Sequence, residues 1–161
     1  MLSLTGEYEH VIDNKNRVLI SNKLRAAIDS EEHGASFYLM TGPNTVLCLY
    51  PEKCFRDLVK AAIPPNMPPD EAIAFERLCY ASASKVELDG QGRLLLNERL
   101  RTRAGLKDQI TLVGVRDHIE LWNNEQWEDY RAANASRVQQ QLAQARQKAF
   151  QTQSKLTGED F

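Results

Sequence analysis

The sequence lacks the long apolar segments that mark membrane and secreted proteins. Its 161 residues contain no run of about 18 apolar residues, so no membrane span is expected. The opening MLSLTGEYEH has neither the basic region nor the long apolar region of a secretory signal. We therefore predict a protein of the cytoplasm that makes no membrane contact.

Cysteine is scarce, and its positions exclude the usual cysteine frameworks. The three cysteines, Cys48, Cys54 and Cys79, form no CxxC pair, and their odd number argues against a disulfide framework. Their spacing matches no familiar zinc signature. We predict reduced, partly buried thiols, and neither a metal site nor a cofactor.

Catalytic motifs are also missing. The histidines His10, His33 and His118 lie far apart in the sequence. No G-x-S-x-G, H-E-x-x-H or phosphate-loop pattern occurs. The sequence predicts that the protein is not an enzyme.

A strong overall positive charge is absent as well, but two local basic zones are present. The net charge is −2, which is unusual for a nucleic-acid-binding chain. Residues 91–107 nevertheless contain five basic side chains against Glu98 alone, and residues 15–25 contain four. The distribution of charge therefore indicates two candidate anion-binding regions.

What the chain does contain is an internal duplication. The stretch VIDNKNRVLIS at 11–21 matches VELDGQGRLLLN at 86–97, and VLCLYPEKCF at 46–55 matches HIELWNNEQW at 118–127. Asp13 thereby aligns with Asp89. Two copies of roughly 50 residues indicate that one structural unit is used twice.

Periodicity and turn signals predict a β-turn-β-α-β-β unit in each copy. Ser21 and Asn97 are predicted to cap the helix with their side chains, and Gly105 to end the second helix in a left-handed conformation. A proline-rich segment and a short helix join the copies. A long helix is predicted from Asn124 onward, with a thin apolar stripe at its far half: Val138, Leu142, Ala145, Ala149 and Phe150. That half either packs on a partner or projects as a frayed end.

Turn chemistry explains part of the repeated motif. Asp13 and Asp89 can accept hydrogen bonds from amides two or more residues later, and Asn16 and Gly92 can adopt positive φ. Turn geometry alone does not require the cationic side chain that follows each turn. Arg17 and Arg93 therefore remain as candidate functional residues.

These features together resemble the MraZ family of SpoVT-AbrB-like transcription factors. The resemblance rests on the two D-x-x-x-R turns, the GEYEH opening, the LVGVRDHIELW hairpin and the YPE…F and W…W helix starts, and it covers about residues 5 to 130. It implies an α+β fold of duplicated β-β-α-β-β halves, interlocked in a swapped-hairpin, AbrB-like β-barrel with flanking helices and a long C-terminal helix. It also implies a sequence-specific regulator in the cytoplasm and nucleoid that binds double-stranded DNA and assembles as a homo-oligomeric ring. Its expected target is the promoter of the division and cell wall gene cluster, recognised through tandem direct repeats.

The resemblance also sets expected domain boundaries and site residues. The domains are residues 5–58 and 81–128 as the two repeats, 59–80 as the linker and helix, and 129–161 as the helical tail. The expected DNA-binding residues are Lys15, Asn16, Arg17, Lys23, Arg25, Arg93 and Arg101. Asn16 replaces the family's glycine, which is a mild change because asparagine tolerates the same conformation. Gln91 replaces the family's lysine, so the second turn is less basic and the first turn is the one expected to contact DNA if only one does.

Other interpretations remain open from the sequence. Lys23 and Arg25 can be solvated helix charges, and the second turn, with Arg93 and Arg101, can face a neighbouring subunit instead of DNA. The alternative function is a structural or assembly protein that uses the duplicated unit for protein contacts only.

Overall fold

The computed structural model describes residues 1–158, which form eight strands, six α-helices and a one-turn 3-10 helix at Pro43–Thr45. The strands are β1 Glu7–Val11, β2 Arg17–Leu19, β3 Phe37–Thr41, β4 Leu47–Pro51, β5 Ser84–Val86, β6 Arg93–Leu95, β7 Gln109–Val115 and β8 His118–Asn123. The α-helices are α1 Asn22–Ala26, α2 Ser30–His33, α3 Glu52–Ala61, α4 Pro69–Ser82, α5 Glu98–Ala104 and α6 Asn124–Thr157. The order in each half is the predicted one, with the short helix α2 added in the first half.

The helix ends confirm two of the three predicted caps. The Asn97 side chain accepts a hydrogen bond from the Arg99 amide, and Gly105 ends α5 with φ 63° in the left-handed region. The prediction for Ser21 was wrong, because its side chain makes no capping hydrogen bond. Its backbone carbonyl accepts from the Arg25 amide at 3.0 Å, so the main chain alone closes the first turn of this short helix.

Strand exchange between the halves builds the main sheet. Six antiparallel strands lie in the order β1-β7-β8-β4-β3-β5. The first strand of each half pairs with the hairpin of the other half, β1 with β7 and β5 with β3, while β4 and β8 join the two hairpins. Each half therefore completes the sheet of the other.

The predicted α+β class is confirmed, but a closed barrel is not found. Within residues 1–158, the six-stranded sheet ends at β1 and β5, and no ladder connects these two edges. β2 and β6 form a separate two-stranded antiparallel ladder. Two open sheets replace the single closed barrel that the resemblance implied.

The core includes the buried side of the β2–β6 ladder, one side of the main sheet and the buried residues of the helices α1, α3 and α5. Val18 and Leu94, the central residues of β2 and β6, are completely buried. Phe55 of α3 is also completely buried and stacks on Tyr38 of β3 with ring centroids 4.3 Å apart. Because side chains alternate along a strand, burial of Val18 and Leu94 leaves their neighbours on the outer face of the ladder.

Residues 1–124 form one compact unit, and a second unit begins at Glu125. The second unit is the helix α6, which continues without interruption to Thr157, as predicted. Its apolar stripe is exposed at Val138, Leu142 and Phe150. Residues 159–161, at the end of the predicted tail, lie outside the described residues. Within the described part of the chain, no helix combines the length and apolar character needed to cross a bilayer.

Candidate functional site

The first turn is organised by the side chain of Asp13. Its Oδ1 accepts hydrogen bonds from the amides of Lys15 and Arg17, both at 2.9 Å. Asn16 adopts φ 58°, the positive value that the reversal needs. The backbone hydrogen bond from Arg17 is the main reason why the pKa of Asp13 lies below its ordinary value. The predicted turn chemistry is confirmed here.

The second turn repeats the same arrangement. Asp89 Oδ1 accepts from the amides of Gln91 and Arg93, both at 2.9 Å, and Gly92 has φ 79°. The backbone hydrogen bond from Arg93 likewise lowers the pKa of Asp89. The two turns therefore present the residue that follows them in equivalent positions.

Each arginine has a structural partner within its own turn, which the analysis of turn geometry did not predict. Arg17 Nε lies 2.9 Å from Asp13 Oδ2, and Arg93 Nε lies 2.7 Å from Asp89 Oδ2. One aspartate thus binds the backbone of the turn through one oxygen and the arginine through the other. Within residues 1–158, the terminal nitrogens of both guanidinium groups have no hydrogen-bond partner. Both arginine side chains are 29% exposed.

Arg25 of the first half supports the second turn. Its Nε donates to the carbonyl of Ile20 at 2.8 Å. Its guanidinium covers Gly92 so closely that a Cβ at this glycine would lie 2.3 Å from Arg25 Cζ. Both the positive φ of Gly92 and the neighbouring guanidinium therefore favour glycine at this position.

Arg101 of the second half supports the first turn in the equivalent way. Its Nη1 donates to Asn16 Oδ1, its Nη2 lies 2.8 Å from Asp108 Oδ1, and its Nε donates to the carbonyl of Leu106. Asn16 therefore replaces glycine without conflict, because its side chain becomes a hydrogen-bond partner of Arg101. Sequence analysis missed this contact because it joins residues from different halves.

The two turns lie at opposite ends of the β2–β6 ladder. Arg17 pairs with Leu95, and Leu19 pairs with Arg93. These four side chains alternate with buried residues and form the outer face of the ladder, which we call the Arg/Leu face. The Cα atoms of the two arginines lie on a diagonal of this face, roughly 7–8 Å apart. Leu19 and Leu95 are 42% and 62% exposed, and their place in the alternating pattern is a signal that sequence analysis did not use.

The two lysines that were predicted to bind DNA are close along the chain to the residues of this face. Lys15 is exposed at the tip of the first turn, where the second turn has the uncharged Gln91. Lys23 is exposed on α1, two residues before Arg25. The structure thus brings Arg17 and Arg93 onto one face. Arg101 contacts the first turn, which precedes Arg17, and Arg25 contacts the second turn, which precedes Arg93.

Comparison with known proteins identifies relatives across most of the chain. The family described as "MraZ protein, putative antitoxin-like" matches residues 3–76 and again residues 79–151, one match for each half. A protein of Finegoldia magna named "Transcriptional regulator MraZ" is 36% identical over 125 residues, 78% of this chain and 84% of that protein. A protein of the same name from Clostridium tetani is 36% identical over 129 residues, 80% of this chain and 87% of that protein. A third, from Caldicellulosiruptor saccharolyticus, is 37% identical over 125 residues, 78% of this chain and 84% of its own length.

Proposed function

Since this chain belongs to the MraZ family, we propose that it is a transcriptional regulator that binds specific DNA sequences through its Arg/Leu face. The observation that carries the proposal is the presentation of Arg17 and Arg93 on one exposed face. Each guanidinium is held by an aspartate through Nε, so its direction is fixed before a ligand arrives. A fixed, planar pair of donors suits the O6 and N7 atoms of guanine or a phosphate group.

The other predicted residues have supporting roles in this proposal. Lys15 and Lys23 are exposed point charges, which neutralise phosphates without selecting a base. Asn16, Arg25 and Arg101 position the turns through contacts between the halves. The first turn makes the stronger contact because it carries Lys15.

We infer that binding requires several chains. The net charge of −2 and one basic turn per half allow few phosphate contacts by a single chain. Assembly into a ring makes each further contact intramolecular and raises affinity by about 10²–10⁴. A ring of equivalent chains suits direct repeats better than a palindrome. The proposed target is a set of tandem repeats in the promoter of the division and cell wall gene cluster, and the proposed location is the cytoplasm and nucleoid.

The finer features of the fold belong to the same proposal. The reciprocal pairing of β1 with β7 and of β5 with β3 supports a swapped-hairpin relation between the halves. We retain residues 5–58 and 81–128 as the two repeats, with 59–80 as the linker and helix and 129–161 as the tail. We propose that a pseudo-two-fold axis relates the two repeats, and we expect that neither repeat folds alone, because each lacks the strands of the other. Expression of residues 1–62 should give an unfolded or self-paired species, and a stable monomeric half would contradict this.

A protein-binding role is the second candidate, and the exposure of Leu19 and Leu95 favours it. Apolar side chains at the centre of an exposed face are typical of protein contact surfaces. In that case the face joins chains to each other, and the arginines form its polar rim.

An electrophoretic retardation assay separates the two functions. The full chain is titrated into DNA from upstream of its own gene, with and without an excess of unrelated duplex. A DNA-binding regulator retards the upstream fragment in the presence of competitor. Equal retardation of upstream and unrelated DNA, or no retardation of either, would contradict the proposal and leave the protein-contact function.

A further inference from the structure

A second polar cluster lies on the ladder between β4 and β8. Cys48 and Glu120 are directly opposed in this ladder, and His118 lies on the same face two residues before Glu120. Their potential ligand atoms, one sulfur, one imidazole nitrogen and one carboxylate oxygen, all lie within 4.8 Å of one another. This is the only such group of three or more among the described residues.

Neighbouring side chains orient the cluster. His118 Nδ1 lies 2.9 Å from Asp117 Oδ1, which directs Nε2 toward Glu120 Oε2 at 3.0 Å. Trp122 Nε1 donates to the other oxygen of Glu120 at 3.0 Å. The Tyr50 ring stacks on the imidazole with centroids 4.6 Å apart. A carboxylate on the remote nitrogen of a histidine is the arrangement that orients histidine ligands in metal sites.

We propose that Cys48 Sγ, His118 Nε2 and Glu120 Oε2 bind one zinc ion in the full chain. The proposal goes beyond DNA binding and does not depend on it. Thiolate, imidazole and carboxylate are the three ligand types of protein zinc sites. The Cys48 thiolate and the Glu120 carboxylate balance the charge of the ion, which takes the place of a proton between Nε2 and Glu120. The Asp117 carboxylate continues to accept the Nδ1 hydrogen bond.

Exposure of the ligands leaves room for a fourth ligand. The His118 and Glu120 side chains are 12% and 22% exposed, so solvent reaches the cluster. Three protein ligands and one water complete the four-coordinate geometry that zinc prefers. The sulfur lies deeper, since Cys48 is buried against Gly42.

The site links the two halves of the duplicated unit. Cys48 belongs to the first half and both other ligands to the second, and Cys48 and Glu120 occupy equivalent positions in the two copies. Zinc therefore ties β4 to β8 at the boundary between the halves. Because the three ligands meet only in the folded chain, bound zinc stabilises the folded state. The spacing of the cysteines could not reveal this site, since the other two ligands are distant in sequence.

The competing state is a protonated histidine between two carboxylates. Burial lowers the pKa of His118, but hydrogen bonds with Cys48, Glu120 and Asp117 outweigh it and raise the pKa to about 10. Such an imidazolium satisfies both carboxylates without a metal. The two states predict opposite outcomes when the protein is titrated with metal ions.

Cobalt provides the direct test, because a cobalt–thiolate bond gives a charge-transfer band in the near ultraviolet. The full chain, first treated with a chelator, is titrated with cobalt and then with zinc. We expect one cobalt per chain, a thiolate band, and loss of that band when one equivalent of zinc is added. No stoichiometric binding would overturn the proposal in favour of the protonated cluster.

Matched variants assign the ligands. Cys48→Ser should lose the thiolate band, and His118→Gln and Glu120→Gln should each weaken zinc binding by at least about 10-fold. Cys54→Ser removes a buried thiol outside the cluster and should keep the band and the affinity. Circular dichroism without metal checks that each variant is folded. If His118→Gln does not fold, Glu120→Gln retains an oxygen for Trp122 and keeps the test available.

A thermal measurement gives an independent result. Zinc should raise the unfolding midpoint of the parent chain and of Cys54→Ser, but not that of Cys48→Ser. A band that persists in Cys48→Ser, or an equal rise in all three chains, would overturn the assignment. None of these outcomes bears on the Arg/Leu face, so failure of the zinc site and failure of the DNA-binding proposal are distinguishable.

Discussion

The two turns of this chain share one scaffold and differ in their surroundings. In both, an aspartate binds two backbone amides through one oxygen and an arginine through the other. The first turn adds Lys15 and an Asn16 that binds Arg101, whereas the second has Gln91 and a Gly92 covered by Arg25. A duplicated unit has thus kept its framework while changing the charge at the turn tips. The comparison indicates that the framework holds both arginines in the same way, and that the first turn has a lysine where the second has a glutamine.

The strongest test of this difference between the two turns is to measure binding to DNA duplexes that contain different numbers of repeats. If mainly the first turn of each chain contacts DNA, several chains must act together. Two direct repeats should then bind about 10²–10⁴-fold more tightly than one repeat, by effective concentration. Fluorescence anisotropy with one, two and three repeats measures this, with light scattering of the free protein alongside. A pair shifted by half a helical turn is the control and should lose most of the gain. Equal affinity for all four duplexes would contradict the assembly argument.

Separate alanine substitutions of Arg17 and Arg93 test whether the two halves contribute differently to DNA binding. Arg17→Ala should weaken binding to the upstream DNA by about 1–3 kcal/mol, the value of a bidentate base contact. Arg93→Ala removes the same aspartate pair at the same exposure, so it is a matched control for stability. We expect it to weaken binding less. Both variants should lose at most about 0.2–1 kcal/mol of folding stability, since exposed ion pairs contribute little. Equal losses of binding would show that the halves contribute equally.

Placing asparagine at the positive-φ position of the second turn tests whether the neighbouring arginines support the two turns differently. Gly92→Asn places a side chain against the guanidinium of Arg25 and should lower the free energy of unfolding by about 1 kcal/mol, the lower end of the overpacking range, because an arginine side chain can move. Urea denaturation measures this change. Adding Arg25→Ala to Gly92→Asn should restore part of the loss. If Gly92→Asn is as stable as the parent, Arg25 accommodates the new side chain as Arg101 accommodates Asn16, and the two turns do not differ in support.

Exchanging the charge at the turn tips should have the smallest effect. Lys15→Ala should weaken binding to all sequences alike and reduce the slope of log affinity against log salt by about one unit, as expected for one lost phosphate contact. Gln91→Lys should raise that slope by a similar amount if the second turn also approaches the backbone of DNA. An unchanged slope for Lys15→Ala would remove this lysine from the interface, and an unchanged slope for Gln91→Lys would place the second turn away from it.

The sequence was sufficient for features that depend on local chemistry. The aspartate turns, the conformations of Asn16 and Gly92 and the left-handed Gly105 follow from residue type and spacing, and the structure confirms them. The failure at Ser21 is also local, since the main chain replaced the expected side-chain bond.

Contacts between the halves were beyond the reach of local patterns. Sequence alone could not show that Arg25 covers Gly92 or that Arg101 binds Asn16, because the strand exchange decides which segments meet. The pairing of Arg17 with Asp13 was within reach, because the two residues are only four apart. The D-x-x-x-R spacing is the signal for this pair, because Asp13 Oδ2 remains for the arginine once Oδ1 has accepted from the turn amides.

Arg17→Lys tests the central claim most directly, since it keeps the charge and removes the planar fork. The measurement is the ratio of affinities for the upstream DNA and for a scrambled duplex, by anisotropy at one salt concentration. We predict that this ratio falls by about 10-fold or more while binding to the scrambled duplex changes little. A ratio equal to that of the parent would contradict the claim that Arg17 reads DNA sequence from the Arg/Leu face.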